Sequence, residues 1–178
     1  MGHALARVSI ALVALVVATG VALAPVSAAD PAGGQITADL EGRPIAVSEI
    51  PDWFCHDLDF PQIHCYRTPA KLEHALDLRI TAALAGEVGT RAVIPYVIVY
   101  RDATYAGPNT AIAQPYDDLG LIGWNDMISS FKAVNGLSGH FATDARNSGR
   151  LYPGFCCNVQ VSYVGDAWND QFSSVYPW

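Results

Sequence analysis

A seven-residue pattern occurs twice in this chain. Trp124-Asn125-Asp126-Met127-Ile128-Ser129-Ser130 returns 44 residues later as Trp168-Asn169-Asp170-Gln171-Phe172-Ser173-Ser174, with five of the seven positions identical. Each copy gathers an amide oxygen, a carboxylate, two hydroxyls and backbone carbonyls into a short stretch. These are the hard oxygen donors that calcium takes six to eight of. Neither copy has a thiolate or imidazole, so a zinc-type ligand set is excluded there. A single Asn-Asp or Ser-Ser pair would read as turn and cap chemistry. Two matched copies behind a Trp point instead to two calcium sites. One carboxylate per loop is few, so the expected dissociation constants are modest, ~10⁻⁶ to 10⁻³ M.

The cysteines and histidines offer different chemistry. Cys55, Cys65, Cys156 and Cys157 allow three pairings, which sequence alone does not separate. Cys55 and Cys65 would close a short loop, stabilising by about 2.5–3 kcal/mol on the chain-entropy estimate. Cys156 and Cys157 are neighbours in a run that reads as strand, so they should face opposite ways. A Cys55–Cys65 bridge is expected first, and cross-links from Cys156 or Cys157 to the N-terminal segment second. Cys55-His56 and His64-Cys65 lack the Cys-x-x-Cys spacing usual for structural zinc. No His-Glu-x-x-His, Gly-x-Ser-x-Gly or phosphate loop occurs, and His56, His64, His74 and His140 sit in unrelated contexts. The chain therefore reads as a binding or structural protein, not an enzyme.

The elements that must position the loops are mostly short strands. Tyr96-Val97-Ile98-Val99-Tyr100 is β-branched and aromatic, Ala111-Ile112-Ala113 is a short strand, and Ser130 to Val134 alternates. Gly107-Pro108-Asn109 and Asn135-Gly136 read as turns. Residues 155–164 and 173–176 complete the set, the pattern of an antiparallel sandwich or barrel. Tyr100-x-x-x-x-Tyr105-x-Gly107 precedes the first loop. Before the second, Phe141 and Tyr152-x-Gly154 stand in the same order but eleven apart, which implies about six extra residues in that turn, within 144–149. Upstream, residues 43–67 read as irregular because Pro44, Pro51 and Pro61 interrupt them. Thr68 and Pro69 then mark the start of a helix over about 69–86, carrying Leu72, Ala75, Leu76 and Ile80 at helical spacing.

The first 28 residues read as an export signal. Arg7 precedes an apolar run from Ile10 to Leu23, and Val26-Ser27-Ala28 is a small-residue cleavage site. The run is shorter than the roughly 20 residues a membrane helix needs. The processed chain is thus expected to be secreted, free of the membrane, and in a compartment where disulfides persist. The full chain carries a formal net charge of −7. Without a Lys/Arg cluster, nucleic acid is not an expected partner. Residues 29–94 are expected as an accessory segment with one helix, and residues 95–178 as the main domain.

The two Asn-Asp-x-x-Ser-Ser stretches resemble the calcium signature of microbial βγ-crystallins, and Tyr100 to Gly107 resembles that family's aromatic Greek-key signature. More narrowly, residues 116–130 and 155–174 look like exported bacterial crystallin-fold proteins often described as peptidase inhibitors. The resemblance implies a mainly β chain: a βγ-crystallin-type antiparallel sandwich of two Greek keys, monomeric, with two calcium ions at one end. It implies backbone oxygen from Met127 and Gln171, hydroxyl oxygen from Ser129 and Ser173, and Asn125, Asp126, Asn169 and Asp170 completing or bridging the sites. A further ligand is implied from the opposite motif's turn, near Asp102-Ala103. The site that relies on the long turn, the one at Ser129, is then expected to be the weaker. Two roles remain: a calcium-stabilised structural or stress-related domain, or an inhibitor of an extracellular protease, which would use residues 52–66 as a braced exposed loop.

Overall fold

Thr37 to Leu40 alternates polar and apolar side chains, and burying Ala38 and Leu40 makes it the first strand, β1 (Thr37–Leu40). Asp39 Oδ1 accepts the Gly42 N–H at 2.7 Å and turns the chain into β2 (Arg43–Ile45). The computed structural model describes residues 35–86 and 94–178, with backbone only for 80–86; the export signal lies outside the described residues. A 3-10 helix (Val47–Asp52) leads to the hairpin of β3 (Phe54–Asp59) and β4 (Gln62–Tyr66). Residues 43–67 are therefore not irregular. Pro44 lies in a sheet-edge strand, Pro51 in the 3-10 helix and Pro61 in the hairpin turn, places where the missing N–H breaks no central ladder.

The helix runs over α1 (Pro69–Gly86), where the sequence puts it, and Thr68 Oγ1 accepts the Lys71 N–H at 3.4 Å. Seven strands follow: β5 (Tyr96–Tyr100), β6 (Asn109–Ile112), β7 (Ser130–Val134), β8 (Gly139–Asp144), β9 (Ser148–Leu151), β10 (Gln160–Val161) and β11 (Ser174–Pro177). The expected strand over 155–164 is cut short. Val159 N bonds Cys156 O at 3.1 Å, and Cys157 and Asn158 have φ of 62° and 65°, so a tight turn precedes β10.

Two sheets result. One has eight strands in the order β10-β7-β5-β6-β3-β4-β1-β2, and the other three in the order β11-β8-β9. Each Greek key sends a strand across to the other. β10 of the second pairs with β7 of the first, and Tyr116 of the first bridges Val175 in β11. The sandwich is mainly β, as expected, but its larger sheet is mixed: β3 runs parallel to β6, and β1 parallel to β4. The core between the sheets joins Ile36, Ile50 and Ile63 of the N-terminal segment to Val97, Trp124, Phe131, Phe141 and Phe172. On the outer face of the larger sheet, Leu72 and Leu76 of α1 pack with Tyr96 and Ala111.

Candidate metal centre

The two repeated loops lie against each other. Asp126 N bonds Phe172 O at 3.0 Å, and Asp170 N bonds Ile128 O at 3.3 Å, a reciprocal pair. Both aspartates are left-handed, with φ of 54° and 52°, a conformation that Asp and Asn tolerate better than most residues. Asn125 Nδ2 donates to Asp126 Oδ2 at 2.8 Å, and Asn169 Nδ2 to Asp170 Oδ2 at 2.7 Å. Behind the first loop, Trp124 is buried and its Nε1 donates to Thr110 Oγ1 at 2.9 Å, fixing the loop to β6. Trp168 is half-buried, beneath the Arg150 guanidinium.

The serines divide the work. Ser130 and Ser174 are buried and hold their own motif's turn: Ser130 Oγ donates to Asp102 O at 2.6 Å, and Ser174 Oγ to Asp144 O at 2.8 Å. Ser129 and Ser173 contribute backbone links. Ser129 N bonds Tyr100 O and Ser173 N bonds Ala142 O, both at 3.0 Å. Their carbonyls accept from the opposite motif, Ser129 O from Val164 N at 3.0 Å and Ser173 O from Leu119 N at 2.8 Å.

These bonds align the two turns, and they correct the expected insertion. Tyr100, Asp102, Thr104, Tyr105 and Gly107 correspond to Ala142, Asp144, Arg146, Asn147 and Gly149 at a constant offset. Thr104, Tyr105 and Gly107 have φ of 58°, 62° and 72°; Arg146, Asn147 and Gly149 have 58°, 55° and 73°. Both turns therefore have the same length. Ala142 and Asn147 fill the places of the two aromatics, whereas Phe141 and Tyr152 belong to the ring cluster around Phe131. The long turn was the reason for expecting a weaker site at Ser129, and that reason is gone.

An open cavity of about 580 Å³ lies where the two motifs meet. From the first motif it takes Arg101, Asp102 and Ala103 of the turn, with Asp126, Met127 and Ser129 of the loop; from the second it takes Tyr163, Asn169 and Asp170. Five of the eight residues implied by the resemblance thus meet in one place. The turn beside Ser129 is that of its own motif; what crosses over is the Asn-Asp pair. Asn125, Gln171 and Ser173 lie outside this cavity, at the positions related to Asn169, Met127 and Ser129 by the pseudo-twofold. Arg101 and Tyr163 were not singled out from sequence, although Arg101 directly precedes Asp102. The Tyr163 hydroxyl donates to Asp166 Oδ1 at 2.6 Å, and that bond holds the phenol above its usual range.

The donor set fits a hard cation. Asn169 Oδ1 is buried without a hydrogen-bond partner in the protein, and its residue lines the cavity together with Asp126 and Asp170. Among the described residues no group of three or more His, Cys, Asp or Glu side chains is arranged to hold a metal. A metal here would be held by amide, hydroxyl and backbone oxygens together with the aspartates. The reciprocal loops and the exchanged strands decide the architecture. The fold of residues 96–177 is that of a βγ-crystallin domain. Similar solved structures include a βγ-crystallin from Ciona intestinalis (24% identity, 47% of this chain and 99% of that one, TM-score 0.42). Others are a βγ-crystallin domain from Flavobacterium johnsoniae (25%, 46% and 92%, 0.39) and an archaeal βγ-crystallin (24%, 48% and 100%, 0.42). No family model and no curated protein matches the chain.

Outside the crystallin fold, Cys55 and Cys65 are direct cross-strand partners joined by a disulfide, so no thiolate remains there for zinc. His64 instead lies between carboxylates, its Nδ1 2.7 Å from Asp39 and its Nε2 3.3 Å from Asp59. Cys156 and Cys157 are free and exposed, not cross-linked to the N-terminal segment. Residues 52–66 are largely strand, with Cys55, His56, Asp57, Ile63 and Cys65 buried, and do not form the exposed loop that the inhibitor reading requires.

Proposed function

We propose that this is an exported calcium-binding βγ-crystallin-type domain in which the bound cation fastens the two Greek keys together in a structural or stress-related role. The observation that carries the reading is the reciprocal pairing of the two loops around an oxygen-lined cavity containing the unpartnered Asn169 amide oxygen. In the first site, Ser129, the Met127 carbonyl and the Asp102-Ala103 turn would act with Asn169 and Asp170. In the second, Ser173, the Gln171 carbonyl and the Asp144-Ala145 turn would act with Asn125 and Asp126. Bound calcium would supply positive charge to carboxylates that come from both motifs. The closed Cys55–Cys65 bridge supports the export reading, because disulfides persist in oxidising compartments. The protein should melt higher in millimolar calcium than in chelator. A ligand binding only the native state stabilises by about 2.7 kcal/mol at a hundredfold excess over its dissociation constant. Identical melting temperatures in the two conditions would overturn the reading.

A further inference from the structure

One of the residues lining the first cavity is cationic. Arg101 lines it together with Asp102, Asp126 and Asp170. At the equivalent position of the second motif stands the neutral Thr143. An uncompensated guanidinium beside a calcium site would repel the dication. Arg101 is not uncompensated: its Nη2 lies 3.0 Å from Asp52 Oδ1. Asp52 ends the 3-10 helix of the N-terminal segment and belongs to neither Greek key. That helix is anchored independently of the pair, because Ile50 and Pro51 are buried and the Gly123 backbone packs on the Pro51 ring.

We propose that Asp52 is a positioning residue for the first calcium site: it holds the Arg101 guanidinium and cancels its charge, so that the N-terminal segment sets the affinity of one of the two sites. This rests on the calcium reading above. The pair is too exposed to matter much for folding, since such surface pairs contribute roughly 0–1 kcal/mol. A unit charge near a dication in a solvent-exposed site still changes the dissociation constant by ~3- to 10-fold. The same exposure makes the effect salt-sensitive, because charges are screened over ~10 Å at 0.1 M salt. The second site, with Thr143, provides an internal control.

The experiment is a calorimetric calcium titration of the full processed chain at low salt, on the wild type, Asp52→Asn, Arg101→Gln and the double variant. Asp52→Asn should weaken one site by ~3- to 10-fold and leave the other unchanged, a deficit that shrinks as salt is raised. Arg101→Gln in the Asp52→Asn background should restore the wild-type constant or exceed it. If Asp52→Asn leaves both constants unchanged, weakens both alike, or is not rescued by Arg101→Gln, the coupling is wrong while calcium binding stands. If the wild type itself takes up no calcium, the calcium reading falls and this inference with it.

Discussion

β6 and β9 are each the second strand of a Greek key, and they end in opposite environments. β6 is buried at all four residues, whereas β9 is exposed at all four. Their pairings are equivalent: Tyr100 faces Asn109 in the first motif, and Ala142 faces Leu151 in the second. The difference lies in what comes next. β3 runs along the far side of β6, and Leu72 and Leu76 of α1 pack over Ala111. β9 is left as a sheet edge, and its sequence, Ser148-Gly149-Arg150-Leu151, carries a glycine and a charge, as exposed edges tend to. One motif is therefore completed by the N-terminal segment, and the other closes itself.

The most direct way to break this comparison is to remove the segment. A chain beginning at residue 95 would lose Ile36, Ile50 and Ile63 from the shared core and expose the flank of β6. Unpaired strand edges and bared apolar surface favour aggregation over folding. Such a chain should lose its cooperative unfolding transition by circular dichroism. Cooperative melting close to the temperature of the whole protein would show instead that residues 29–94 are only an appendage.

A second asymmetry is electrostatic and again touches the first motif alone. Asp57 in β3 is buried and accepts hydrogen bonds from Ala113 N at 2.7 Å, Gln114 N at 3.3 Å and the Tyr116 hydroxyl at 3.1 Å, which ties the segment to the end of β6. Burial raises its carboxyl to about 7. Its neighbour His56 is lowered to about 4, first by burial and then by the charge of His64. The signs oppose each other. Asp57 binds its proton more tightly folded than unfolded, so its contribution to stability falls as pH rises from about 4 to about 7. His56 binds its proton less tightly folded, so its contribution is lost as pH falls from about 6.5 to about 4. Between pH 4 and 6.5 the two largely cancel. Asp57→Asn removes one side, and its stability relative to wild type should rise by roughly 2–3 kcal/mol over that window, at about 1.4 kcal/mol per unit of pKa difference. Urea midpoints at pH 4, 5.5 and 6.5 test this; a constant difference between the two proteins would mean that Asp57 does not titrate there.

What could be read from the sequence follows the same division. The loops were legible because their oxygen-bearing residues are contiguous, and because the left-handed positions at Asp126 and Asp170 suit only a few residue types. The helix start was legible in Thr68-Pro69. The second turn is harder to read, because Phe141 and Tyr152 stand in the order of its aromatic markers but belong to the ring cluster around Phe131. Its geometry rests instead on the left-handed Arg146, Asn147 and Gly149 and on the Ser174 hydroxyl, and arginine carries no signal for such a conformation. The parallel β3–β6 pair was invisible for another reason: its partners stand more than fifty residues apart, and no local pattern records a parallel pairing.

The turns themselves provide the finest comparison. In the first, Tyr100 and Tyr105 meet edge to face at 5.6 Å, with the Lys132 ammonium 4.3 Å from the Tyr105 ring centroid. In the second, Ala142 and Asn147 make no such contact, yet the backbone is the same. The common device is the buried serine, but it does more in the first motif. Ser130 Oγ donates to Asp102 O and also accepts the Tyr105 N–H at 3.1 Å, whereas Ser174 Oγ serves the Asp144 carbonyl. Ser130→Ala leaves a donor and an acceptor short of partners, so it should cost about 2–3 kcal/mol. Ser174→Ala strands one acceptor in a more exposed turn and should cost about 1 kcal/mol. Chemical denaturation of the two single variants in chelator measures both without a contribution from metal. Equal costs would place the stability of the first turn in its aromatic pair, and Tyr105→Asn, which copies the second motif, should then cost as much as Ser130→Ala.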